Sequence, residues 1–302
     1  MTDAQFSIII TFYNQRDFVK DALDSALSLR NQNKEIIVVD DGSTDGTQDV
    51  TQSYRDKVRL VRVETNQGAG AARNCGAALA TGEYLVFLDG DDALPFWALD
   101  VFQCIIELKK PKMMIGHMRW FEGVPPTVHR EDTPREIRVF EFEDYLRRDR
   151  PFTHATIRVV HRQSFQSAEG WSTDIWPAND IDFLLRLCTA GRTILIQSPP
   201  TAFRRSHANN TFKVVAPYIS SFCKIIQNER LGKYPGGSRR SFERQAVIGG
   251  LSLIWVKRAA GSGLWRDALK LLVRCWRMGL AAVALRLWVI IKGRRPYQTI
   301  GM

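Results

Sequence analysis

The sequence predicts an α/β fold, a mixed and mainly parallel sheet flanked by helices, with a basic helical C-terminal extension. Three observations carry that prediction. Apolar runs at residues 8–10, 36–39 and 84–88 each stop in polar or acidic residues, as strands buried on both faces do at their carboxyl ends. A stretch with helical spacing separates the first two runs, which makes a βαβ unit with parallel pairing and a right-handed crossover. Charge is also divided: residues 231–302 hold 14 Lys and Arg against only Glu243 and Asp267, so the formal +10 of the chain belongs to its tail.

A chain of 302 residues, 45% hydrophobic and 25% charged, buries a full core and has room for an appendage. Its five cysteines (Cys75, Cys104, Cys188, Cys223 and Cys275) include no Cys-x-x-Cys pair, which argues against a zinc site or a disulfide framework and suits a reducing compartment. The first apolar run, Phe6 to Phe12, follows an acidic start, so no signal peptide is expected and the start of the chain is read as cytosolic. With the net positive charge confined to the tail, no nucleic-acid partner is expected. The tail points to anionic lipid ahead of RNA.

Taken in order, Ser7 to Thr11 is a buried strand running out in Phe12-Tyr13-Asn14, and Phe18, Ala22, Ser25, Ala26 and Leu29 give residues 16–30 a helical period. The second strand, Glu35 to Val39, breaks into Asp40-Asp41-Gly42-Ser43-Thr44-Asp45. Ligands of such sheets bind at the carboxyl ends of the strands, where Thr11, Asp40 and Asp41 fall. A third strand is expected at Val58 to Val63. The run Asn66 to Ala78 that follows is rich in Gly and Ala but lacks the third glycine of a dinucleotide fingerprint. It reads as a helix start whose amides and Arg73 face an anion, or as close helix–sheet packing with Arg73 in a structural pair. The organising stretch is Gly82 to Asp92, in which five apolar residues end in Asp89-Gly90-Asp91-Asp92. Three carboxylates within four residues repel one another and lose hydration near a core, so a divalent cation such as Mg2+ or Mn2+ shared with substrate phosphates suits them; a solvated acidic turn is the alternative.

These segments together resemble family 2 glycosyltransferases of the GT-A, Rossmann-like nucleotide-diphospho-sugar transferase fold. The matching pieces are Ile8 to Asn14, Ile37 to Asp45, Asn66-Gln67-Gly68 with Ala72 to Gly76, and Gly82-Glu83-Tyr84 through Asp92. The resemblance implies that Thr11, Tyr13 and Asp41, with Asp40 beside it, hold the base and ribose of a nucleotide-diphosphate sugar, a UDP-sugar first of all, and that Arg73 lies near base and diphosphate. It implies that Asp89 and Asp91 bind Mn2+ or Mg2+ across the diphosphate, with Asp92 in support.

In the second half a helix is expected at Trp97 to Leu108, one strand at Met113 to Trp120, a mobile loop at 122–136, and another strand after Phe152 to Thr156, where His154 is an acceptor contact or plain structure. Gly170-Trp171 through Asp180-Ile181-Asp182-Phe183 to Leu187 resembles the family segment in which a Glu-Asp pair opens a helix. Asn179 replaces the Glu, and Asp180 keeps the position of the general base, with helix capping as its structural alternative. Asp182 and Arg186 read as an intrahelical pair. After a strand at Thr193 to Ile196, the segment from Phe203 to Asn210 is similar to the family's Tyr-Arg-x-His tail, which would bring His207 to the metal or diphosphate, with ordinary loop structure as the alternative.

From 217 on, helices are expected at 217–230, 241–258 and about Leu264 to Ile291. The last carries Arg266, Lys270, Arg274 and Arg277 in one stripe and Trp265, Leu269, Leu272 and Trp276 on an apolar side, which fits a helix in a membrane interface or one docked on the protein's own core. The domains expected are therefore 1–215, divided into a donor half at 1–95 and an acceptor half at 96–215, and a helical region at 216–302. The implied activity is metal-dependent inverting sugar transfer to an acceptor hydroxyl on a saccharide or lipid-linked saccharide, in cell-surface polysaccharide or glycolipid synthesis at the inner face of the cell membrane. A nucleotidyltransferase would need a triphosphate site, and a binding-only or scaffold relative would release no nucleoside diphosphate.

Overall fold

The computed structural model describes residues 6–141, 157–188, 192–208, 214–292 and 297–302. His154 lies outside them. Strands β1 (Phe6–Phe12), β2 (Lys34–Asp40), β3 (Arg59–Arg62) and β4 (Tyr84–Asp89) form the parallel half of a nine-stranded sheet, with α1 (Val19–Leu27), α2 (Thr47–Gln52) and α3 (Ala69–Leu79) in the crossovers. The second half adds α4 (Ala98–Lys109), β5 (Met113–Ile115), β6 (Met118–Phe121), β7 (Glu136–Glu141), β8 (Arg158–His161), α5 (Arg162–Ser167), α6 (Asn179–Cys188), β9 (Thr193–Ser198) and β10 (Ala202–Arg205). Then come α7 (Ala216–Arg230), α8 (Gly237–Gly261), α9 (Trp265–Lys292) and β11 (Gln298–Gly301). The sheet order is β11-β7-β9-β5-β8-β4-β1-β2-β3, and only β7 and β8 run against the other seven strands. The mainly parallel, mixed sheet expected from the sequence is thus present.

Side-chain alternation on the central strands divides the core in two. Ile8 and Ile10 face one cluster with Leu23 of α1 and Phe102 of α4, while Ile9 faces the other with Ala72 of α3, Phe183 of α6, Ile225 of α7 and Leu271 of α9. Each apolar run of the sequence is therefore buried on both faces, as its lack of alternation implied. The C-terminal helices share that second cluster with the sheet.

Two expectations fail in detail. The strand expected over Met113 to Trp120 is two strands in different sheets: β5 lies in the main sheet, whereas β6 pairs with β10. The break falls at Gly116-His117, where a Cβ on Gly116 would collide with Thr201 and Ile157 and the His117 carbonyl accepts the Thr201 and Ala202 amides at 2.8 and 3.2 Å. The tail is also not helical to its end, because β11 pairs antiparallel with β7 and buries Ile300. Strand β7, in turn, begins at the last residue of the stretch expected to be a loop, which holds a single 3-10 turn at Arg130–Asp132. No periodicity marks so short a β11; a β-branched pair, Thr299-Ile300, meets a free sheet edge.

Candidate functional site

The parallel strands end in a cleft of about 740 Å3 lined by Thr11, Tyr13, Asp41, Arg73, Asp89, Asp91, Asp180 and His207 among others. A larger cleft, about 1050 Å3, opens at the opposite end of the sheet around Glu83, Lys112 and His161 and holds none of the predicted site residues. Position decides between them, since open α/β sheets bind ligands at the carboxyl ends of their strands.

Register brings the first acids together. Thr11 at the end of β1 is the partner of Asp89 on β4, and the Gly90 amide donates to the Thr11 carbonyl at 2.9 Å. A Cβ at Gly90 would stand 2.7 Å from that of Phe12, so only glycine lets the acidic loop turn against β1. Asp89, Asp91 and Asp92 each offer an oxygen within 4.8 Å of the others. Such hard oxygen donors at one point fit Mg2+ or Mn2+.

The loop is held from three sides. Arg73, buried in α3, sets a guanidinium nitrogen 2.5 Å from Asp89 Oδ1 and lies over the Trp171 ring with 4.9 Å to its centroid. Arg73 is thus in the structural ion pair that the sequence offered as one reading, and both partners line the cleft. His207 Nε2 stands 2.8 Å from Asp91 Oδ2, with its ring against Phe18. Arg205 is buried behind the loop: its amide donates to Asp92 Oδ1 at 2.9 Å, its Nε donates to the Asp91 carbonyl at 2.9 Å, and a terminal nitrogen meets Asp21 at 2.5 Å.

Beyond the end of β2, Asp41 accepts the Gln67 and Gly68 amides at 2.9 and 2.8 Å, which fixes the turn leading into α3. A Cβ at Gly70 would stand 2.7 Å from the Ser172 carbonyl, so the small residues serve the close packing weighed for them as well as the cleft. Tyr13 is exposed at the rim. Asp40 departs from the group: it is buried beside the cleft rather than lining it, and its Oδ1 accepts the Ser43 amide at 2.8 Å.

Across the cleft, α6 opens with Asn179 and Asp180, both buried, and Asp180 Oδ1 accepts the Ile181 amide at 2.8 Å. That bond satisfies an amide of the first turn, yet the carboxyl also lines the cleft. Burial pushes its pKa up to about 6, against the charges of Arg158, Arg73 and Arg204 and the Ile181 amide, which favour the ionised form. Asp182 points away: it pairs with Arg186 at 2.8 Å and accepts the Tyr234 hydroxyl at 2.8 Å.

Three lining residues escaped sequence reasoning. Trp176, half exposed at the rim, has its carbonyl bonded by the Ser221 hydroxyl at 2.5 Å. Tyr218, from α7, stacks on Trp255 of α8 with 3.7 Å between centroids, and burial together with Asp180 raises its hydroxyl pKa. Arg204 lies beside His207 in the chain and over the Trp120 ring. Trp176 and Arg204 stood within motif segments that could have flagged them; Tyr218 comes from beyond every motif.

The family model for glycosyl transferase family 2 matches residues 7–168, more than half of the chain. The chain belongs to that family. An uncharacterized glycosyltransferase of Haemophilus influenzae is 34% identical over 182 residues, covering 60% of this chain and 61% of that protein. The UDP-Glc:alpha-D-GlcNAc-diphosphoundecaprenol beta-1,3-glucosyltransferase WfaP of Escherichia coli is 44% identical over 88 residues, 28% of this chain and 35% of that protein. The chain thus spans between about a third and three fifths of these relatives' lengths. Among solved structures, S. aureus TarS 1–349 in complex with UDP-GlcNAc aligns with a TM-score of 0.63 at 17% identity, covering 81% of this chain and 70% of that one. The mannosyltransferase PcManGT of Pyrobaculum calidifontis, in complex with GDP-Man and Mn2+, aligns at 0.53 and 17%, covering 95% and 88%. At such identities the likeness is one of fold, and the fold is GT-A.

Proposed function

We propose that this family 2 glycosyltransferase moves a sugar from a nucleotide diphosphate to an acceptor hydroxyl with inversion. The observation that carries the reading is that Asp180 lines one cleft with Asp89 and Asp91 of the carboxylate cluster. Thr11, Tyr13 and Asp41 hold the base and ribose, Asp40 braces the turn beside them, and Arg73 reaches the diphosphate. Asp89 and Asp91, with His207 alongside, would hold Mn2+ or Mg2+, whose charge offsets that of the leaving diphosphate. Asp180 takes the acceptor proton as the acceptor oxygen attacks the anomeric carbon in line. The bond to the diphosphate breaks and the nucleoside diphosphate leaves. A folded-state pKa near 6 leaves Asp180 ionised at neutral pH yet more basic than an exposed carboxylate, as a general base requires. Trp176 and Tyr218 offer the acceptor ring apolar faces beside that base.

Residues 1–95 bind the donor and residues 96–215 shape the acceptor side, with Tyr218 supplied by the region 216–302. WfaP, named for an acceptor on diphosphoundecaprenol, and the UDP-GlcNAc and GDP-Man complexes support a nucleotide-sugar donor and a lipid-linked saccharide acceptor in cell-surface polysaccharide or glycolipid synthesis. An anionic membrane surface, at the inner face of the cell membrane, is the remaining partner in this reading.

The test is Asp91→Asn. The substitution removes one charge from a partly exposed loop and leaves β4 packed, so the melting temperature should hold while Mn2+-dependent binding of UDP or another nucleoside diphosphate falls. A folded variant with undiminished metal-dependent affinity sinks the assignment.

A further inference from the structure

Helix α9 has three faces. One is docked: Ala268, Leu271, Cys275 and Met278 are buried in the core cluster shared with α7 and α8. A second is apolar and open, since Trp265, Leu269, Trp276, Leu280, Val283 and Leu287 are each at least 50% exposed. At about 100° per residue these six fall within an arc of roughly 60°. Arg266, Lys270, Arg274 and Arg277 form the third face along one edge of that arc. Of the 22 large apolar side chains exposed among the described residues, 11 lie on this helix. A soluble surface does not leave so continuous a stripe uncovered.

No helix among the described residues is long and apolar enough to cross a membrane. We infer that α9 lies flat in the headgroup plane of an anionic bilayer, its open apolar face at the acyl boundary and its four cations on lipid phosphates. The charge pattern favours this occupant over a second copy of the chain. A copy would bring the same four cations against the stripe, and the sole acid on α9, Asp267, is partly covered near the docked side. Of the two readings that the sequence left for this helix, core docking is realised on one face, and the interface is assigned by inference to another.

One helix links this surface to the cleft. Arg230, at the end of α7, donates to the Arg274 carbonyl at 2.7 Å, and Tyr218, near its start, lines the cleft. Twelve residues of helix separate them, about 18 Å. A saccharide carried on a membrane lipid therefore reaches Asp180 from the surface on which α9 rests; this last step, unlike the docking, rests on the glycosyl-transfer reading.

The experiment is co-sedimentation of the full chain with phosphatidylglycerol vesicles and with phosphatidylcholine vesicles at low and high salt, for the wild type and for Trp276→Glu/Leu280→Glu. Both side chains are exposed, so the variant should keep its melting temperature. The wild type is expected to pellet with phosphatidylglycerol, less at high salt, and the variant to lose about tenfold in partitioning. Equal binding by wild type and variant, or no binding by the wild type, overturns the inference. So does a wild-type dimer in sedimentation velocity that the variant abolishes while vesicles go unbound. Mn2+-dependent UDP binding measured on the same samples separates the readings: its absence beside intact vesicle docking overturns sugar transfer alone.

Discussion

Replacing Asp180 by Asn should make the protein more stable and nearly inactive, and the two effects have one cause. Burial raises the Asp180 pKa from 3.8 to about 6. A folded-state value above the unfolded one means that the fold prefers the protonated acid. The stability this group contributes is fully present below about pH 4 and is lost as pH rises through about 6. Two units correspond to about 3 kcal/mol withheld from the ionised wild type at pH 7.5. Asn cannot ionise, and its side-chain oxygen keeps the acceptor role toward the Ile181 amide, so the variant should recover up to that amount. At 2–4 °C per kcal/mol for chains of roughly this size, the melting temperature should rise by several degrees at pH 7.5 and hardly at all at pH 4. Transfer should fall by about 100-fold to 10,000-fold with donor affinity intact, the scale of a positioned base. Thermal melts across pH, run beside release of nucleoside diphosphate, check both halves. A variant no more stable at pH 7.5 would refute the burial argument, and an active one would remove Asp180 from the chemistry.

The wild-type rate should rise with pH through a midpoint near 6 as Asp180 ionises, and Asn179→Glu, which sets a second carboxylate beside it, should move that midpoint upward while activity persists; an unmoved pH profile would exclude electrostatic coupling between the two positions. Trp176→Ala should raise the acceptor KM about tenfold, the scale of a lost stacking contact, and leave nucleotide binding unchanged; kinetics with acceptor varied at saturating donor separate the two, and an unaltered acceptor KM would place the acceptor elsewhere.

The sequence by itself determined the parallel half-sheet and most of the cleft. Strands buried on both faces must read as unbroken apolar runs, and such runs at their carboxyl ends must break into whatever the ligand needs. Thr11, Asp41, Asp89 and Asp91 could therefore be placed at strand ends from local pattern, and the resemblance to the family added Arg73 beside them. Asp40 shows the limit of that reasoning, because a carboxylate at the right strand end turned to its own loop amide at Ser43.

Tertiary structure decided what no local signal encodes. Whether His207 meets Asp91 depends on a loop that leaves β10, a strand of the small second sheet, and on Arg205 fixing the acidic loop from behind. That Tyr218 joins the cleft follows from how α7 packs on Trp255, and that Met113 to Trp120 divides between two sheets follows from crowding at Gly116. For α9 the amphipathic period was legible, but a helix with two apolar faces offers no internal mark of which one docks. The sheet and its neighbouring helices settle it: they cover Leu271 and Cys275 and leave Trp276 and Leu280 open.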